Sequence, residues 1–157
     1  MWPFRSVSDI LGANDGRQVL FDLSTRLDRQ KHYDNFTKTE RIVWHCHVLR
    51  REVLNGSIEQ YFTNSSGDLL LETIDSLNRI SAIHVADLLE LSARFFIGEA
   101  RDLSREQRIH LMEGLSKKNA TLYEANVSKF TEEIENGFPE MYERALHYFR
   151  RHADDIR

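Results

Sequence analysis

The run Thr37-Lys38-Thr39-Glu40, followed by Ile42, Cys46, Leu49 and Val53, most restricts how this chain can fold. The Thr37 hydroxyl can accept a free amide of a first helical turn while Glu40 reaches back to the Thr37 amide, which is a capping box. The apolar residues behind it recur at spacings of four, three and four. That period lines one face of a helix and scatters over both faces of a strand. Only seven glycines and two prolines interrupt 157 residues, so long helices of this kind are expected throughout.

The rest of the chain follows the same period. Residues 1–14 form a lead-in with Trp2, Phe4, Val7, Ile10 and Leu11, and Gly12 and Gly16 bracket a turn. Val19, Leu20, Leu23 and Leu27 mark a helix over 17–30, and His32 to Asn35 reads as a connection. The helix after Thr37 should stop at Asn55-Gly56, where glycine accepts a left-handed backbone. Ser57 can cap a short helix over 58–64, which Asn64 to Gly67 breaks. Ser66 or Asp68 can start the next helix, whose stripe of Leu70, Ile74 and Leu77 is widened by Leu69, Leu71 and Ile80.

A break at Ser81-Ala82 precedes a helix over 83–97 that Gly98 stops. Ser104 to Gln107 is a second capping box, ahead of Ile109, Met112 and Leu115. Tyr123, Val127, Phe130 and Ile134 share a face of a helix ended by Gly137. Pro139 suits the first turn of a last helix, with Met141, Tyr142, Ala145, Leu146 and Phe149. Residues 150–157 read as a fraying tail. No strand alternation survives, so the expected fold is all-α: a single-domain multi-helix bundle over 1–157 with about seven or eight helices.

With 21 Lys+Arg against 25 Asp+Glu, the formal net charge is −4. Direct nucleic-acid binding needs a basic footprint, so nucleic acid is not the expected partner. A lone cysteine, Cys46, excludes a disulfide framework and a multi-cysteine zinc site, and suits a reducing compartment. The start carries no secretory pattern, and the longest aliphatic run, Leu69 to Leu71, cannot span a membrane. A cytoplasmic chain without a membrane partner is the expectation.

Few residues suggest chemistry. His45 and His47 project about 200° apart on a helix, and Cys46 lies on the apolar stripe, so no metal is expected there. Ser65, Ser66, Asp68 and His84 can be drawn as a nucleophile, base and orienter, but turn chemistry and capping account for each of them. Phosphate loops and dinucleotide fingerprints are absent, so no cofactor is expected.

Charge is segregated instead. From Arg51 to Glu90, Glu52, Glu59, Asp68, Glu72, Asp75, Asp87 and Glu90 face only Arg51 and Arg79. Asp68, Glu72 and Asp75 fall at i, i+4 and i+7 of one helical stripe, where like charges repel slightly. That stripe is either an ordinary solvated face or an anionic surface for a basic partner.

The densest polar stretch runs from Asn55 to Asp68: Asn55, Gly56, Glu59, Gln60, Tyr61, Phe62, Asn64, Ser65, Ser66, Gly67 and Asp68. It resembles the signature N-G-x-x-Q-Y-F-x-N-S-S-G-D of a bacterial family of domains of unknown function whose members include a DNA mimic. The similarity extends over about 35–150. The resemblance implies an all-α fold, a homodimer, no catalysis, and a basic or DNA-binding protein as partner. A net charge of −4 is low for such a mimic, which confines any mimicry to one face.

Within the motif, Ile58, Tyr61 and Phe62 can pack inward, Gln60 and Asn64 can satisfy buried backbone groups, and Gly56 and Gly67 permit sharp turns. In the rival reading, Glu59, Gln60, Asn64, Ser66 and Asp68 line a pocket. Two other functions share these residues. One is an immunity or antitoxin-like binder of a toxin, using the acidic surface. The other is an enzyme built on the polar stretch.

Overall fold

Eight α-helices and three 3-10 turns make up the described residues of the computed structural model, with no strand among them. The description covers residues 5–30 and 32–157, Gln30 by its backbone alone, so Trp2 and Phe4 lie outside it. The helices are α1 (Val7–Leu11), α2 (Gly16–Gln30), α3 (Lys38–Asn55), α4 (Ile58–Thr63), α5 (Leu70–Arg79), α6 (Ile83–Ile97), α7 (Arg105–Lys118) and α8 (Ala120–Arg151). The 3-10 turns span Tyr33–Asn35, Ser65–Leu69 and Ala153–Asp155. No described helix is long and apolar enough to cross a membrane.

Both expected capping boxes form, at Thr37 with Glu40 and at Ser104 with Gln107, and a third joins Ser6 to Asp9. The stripe Ile42, Cys46, Leu49 and Val53 is fully buried, and α3 packs against α2, α4, α5 and α8. Helix α8 lies along α2, α6 and α7, and one cluster draws buried apolar residues from all eight helices. Each fully enclosed Leu or Ile in it stabilises the fold by about 1.5–3 kcal/mol.

Several boundaries differ from expectation. Gly137 does not end a helix, and Pro139 does not start one: α8 runs unbroken through both. A Cβ on Gly137 would lie 2.7 Å from Val85 Cγ2, so this glycine lets α8 approach α6 closely. Pro139 is solvent-facing, and the amide bond it forgoes is offset by the buried Phe138 and Met141 beside it. Gly56 ends α3 at φ −142°, outside the left-handed region, and its amide donates to the Glu52 carbonyl.

Helix α5 begins at Leu70, four residues past Ser66 and two past Asp68, because Ser65–Leu69 closes as a 3-10 turn. Leu71 does not widen the α5 stripe; it stands 53% exposed. Ser81, at the expected break, takes a positive φ of 64°. The tail does not fray. The Asp155 carboxylate accepts the Thr39 amide and its carbonyl accepts the Thr37 hydroxyl. Ile156 is buried, and the Arg157 amide donates to Glu40.

Candidate functional site

The polar stretch 55–68 folds around two buried charges that lie outside it. Glu52 on α3 is 6% exposed. Its Oε2 accepts from Gln60 Nε2 at 2.7 Å and from Asn64 Nδ2 at 2.9 Å, and Oε1 accepts from Arg51 at 3.3 Å. Burial pushes the Glu52 pKa up, but these three donors outweigh it and hold the carboxyl below its ordinary value. Gln60 and Asn64 therefore serve a side-chain carboxylate, where backbone groups were expected.

The second charge is Arg108 on α7, 1% exposed. Its guanidinium donates to three carbonyls, of Phe62, Leu103 and Asn64, at 2.8, 2.8 and 3.0 Å. It also pairs with Asp68 Oδ1 at 2.8 Å. Arginine suits this place because its rigid fork of donors meets several acceptors at once. The Cβ of any larger residue at Gly67 would lie 2.8 Å from Arg108 Nε, so Gly67 is there to make room for the guanidinium.

Most of the remaining motif groups are also turned inward. Tyr61 Oη donates to Thr73 at 3.0 Å, Ser66 Oγ to the Tyr61 carbonyl at 3.0 Å, and Tyr123 Oη to Glu59. Ile58, Tyr61 and Phe62 are fully enclosed. Asn55 and Ser65 are exposed at the edges of the stretch.

Of the three carboxylates expected on one helical stripe, Glu72 and Asp75 lie on α5, whereas Asp68 lies in the 3-10 turn before it, outside the helix, and the three differ in state. Asp68 is held by Arg108, although its side chain stays half exposed. Asp75 bonds Arg79 Nε at 2.6 Å across one helical turn. Glu72 is exposed, and no described cation pairs with it. Leu71 is exposed between them.

Beside this stripe a cleft of about 400 Å³ opens between α3 and α5, with Tyr33, Lys38, Arg41, His45, Glu72 and Asp75 on its walls. On its floor His45 bonds Tyr33 Oη through Nε2 and Ser76 Oγ through Nδ1, each at 2.7 Å. Burial, and then the Arg41 charge, push His45 down to about 4, so the ring is neutral at pH 7. Its neighbours on α3 go other ways: Cys46 is in the core with its thiol pushed up to about 12 by burial, and His47 lies against Trp44. No group of three or more His, Cys, Asp or Glu among the described residues is arranged to hold a metal ion.

A model of the DMP19-like protein family matches residues 34–152. The chain belongs to that family. Neither a curated protein nor a solved structure matches it. The DMP19-like match spans the chain from the Tyr33–Asn35 turn to the end of α8, so the polar stretch, α5 and the cleft all fall within it or at its edge. For this DMP19-like chain, sequence reasoning missed Arg108 and the His45 chain. An arginine four residues after the Ser104 cap looks like any exposed helical cation. Its burial follows only from how α7 packs on α4, which periodicity does not give.

Proposed function

We propose that this chain is a non-catalytic interaction domain that presents the α5 face to a basic protein, one that itself binds DNA. The observation that carries this reading is the exposed Leu71 set among the exposed carboxylates Asp68, Glu72 and Asp75. An apolar anchor rimmed by one sign of charge suits a small protein contact, with the leucine supplying burial and the carboxylates supplying selection of the partner. Membership in the DMP19-like family supports the same reading. The polar stretch supports the absence of catalysis, because Gln60, Asn64, Ser66 and Asp68 are each bonded within the fold.

Asp68 and Asp75 are partly neutralised by their arginines, so the contact is local and not a long imitation of a duplex. A homodimer would present the face twice. The test is affinity capture with the full chain, followed by calorimetry on the captured basic protein at several salt concentrations. Glu72→Lys with Asp75→Lys should weaken binding at least tenfold, and binding to the parent should fall as salt rises. Salt-independent binding, or an unchanged affinity in the double variant, would overturn the reading.

A further inference from the structure

The hydrogen-bond chain on the floor of the α3–α5 cleft has unequal ends. A neutral imidazole offers one N–H and one lone pair. Of the two hydroxyls on His45, one therefore donates to the ring, the other accepts from it, and the accepting hydroxyl keeps a proton for a further bond. Ser76 is buried and bonds only His45 among the described residues. An unused hydroxyl proton there would be an unsatisfied buried donor. Tyr33 is half-buried and lines the cleft. The favoured arrangement has Ser76 donating to Nδ1 and Nε2–H donating to Tyr33, which leaves the Tyr33 hydroxyl proton directed to the cleft.

Cations flank that donor. The Arg41 guanidinium lies over the Tyr33 ring, 5.1 Å from its centroid, and Lys38 lines the same cleft. Arg79 on the α5 wall is already held by Asp75. A volume of about 400 Å³ suits a small molecule. We propose that the cleft binds a small anion through a carboxylate or phosphate group, which accepts the Tyr33 hydroxyl proton and lies between Lys38 and Arg41. Glu72, on the opposite wall, keeps the anionic end on the α3 side. The α5 wall of this site, with Leu71, Glu72 and Asp75, is shared with the proposed partner face, but anion binding rests on Tyr33, Lys38 and Arg41 and is read without the partner.

Acetate and inorganic phosphate would be titrated into the full chain at pH 7 and constant ionic strength, with chloride as the control, by heteronuclear NMR. The expected result is a saturable shift centred on Tyr33, Arg41, His45 and Ser76 with acetate, phosphate or both, and none with chloride. A response to one anion alone assigns the site to that chemistry. Tyr33→Phe should weaken binding about tenfold, and Glu72→Gln should tighten it a few-fold. Arg41→Gln, read the same way, covers the case in which Tyr33→Phe fails to fold, and should weaken binding by a similar factor. No saturable shift with either anion, an equal response to chloride, or unchanged affinity in the folded Tyr33 or Arg41 variant would overturn the proposal.

Discussion

The polar stretch at 55–68 and the cleft beside α5 are made of the same kinds of residue, yet they spend them differently. In the stretch, Gln60 and Asn64 converge on Glu52, and Phe62, Leu103 and Asn64 carbonyls converge on Arg108. Both charges lie inside, and their bonding capacity is used within the fold. In the cleft, His45 is equally buried, but the chain it anchors ends at the half-exposed Tyr33, beside Arg41 and the exposed Glu72. The density of polar residues in a sequence therefore does not locate a working surface. What locates it is bonding capacity left pointing outward.

The largest expected effect breaks the inner network. Arg108→Met leaves three carbonyls and Asp68 without their donor and should cost about 3–5 kcal/mol of stability in urea unfolding. Glu72→Gln, on the outer face, should stay within about 0.5 kcal/mol of the parent in the same assay. Glu52→Gln should cost about 1–3 kcal/mol, since it weakens three bonds to a charged acceptor.

Acid separates the two regions by window. His45 is held at about 4 when folded against an ordinary 6.5, so the unfolded chain binds more protons between these values. Stability should already fall as pH drops from 6.5 toward 4. The part owed to Glu52, whose folded pKa lies below the ordinary carboxylate value, is present above that value and is lost only at lower pH. In Glu52→Gln the earlier loss should persist and the later one should shrink, as read by unfolding curves across pH.

Two glycines sharpen the contrast at the smallest scale. Gly67→Ala drives a methyl into the buried Arg108 and should cost about 1–3 kcal/mol. Gly114, inside α7 with open space around it, should gain about 0.5–1 kcal/mol as Ala. Thermal or urea unfolding of the two variants measures both.

Much of the fold was legible in residues whose signal is local. The capping boxes at Thr37 and Ser104 and the α3 stripe need only neighbours in sequence. Gly137 and Pro139 misled because tertiary packing decides their effect: α6 gives Gly137 a packing role, and the buried Phe138 and Met141 carry the helix past the proline. At the candidate site, the spacing put Asp68, Glu72 and Asp75 on one helical stripe, but only Glu72 and Asp75 lie on α5, because the chain closes as a 3-10 turn at Asp68. Arg108 and Arg79, which pair with two of them, could not all be assigned: the i, i+4 pair with Arg79 is visible in sequence, whereas the Arg108 pair joins residues forty apart. The Tyr33–His45–Ser76 chain draws on three elements, and no periodicity connects them.

The central claim is that the polar stretch holds the fold while the α5 face does the work. It is tested most directly by measuring unfolding and partner binding side by side for Asn64→Ala and for Glu72→Lys with Asp75→Lys. Asn64→Ala should lose about 1–2 kcal/mol of stability and keep its affinity while folded. The double variant should stay within about 1 kcal/mol of the parent and lose the partner. The reverse pattern, with affinity lost in folded Asn64→Ala and kept in the double variant, would contradict the account.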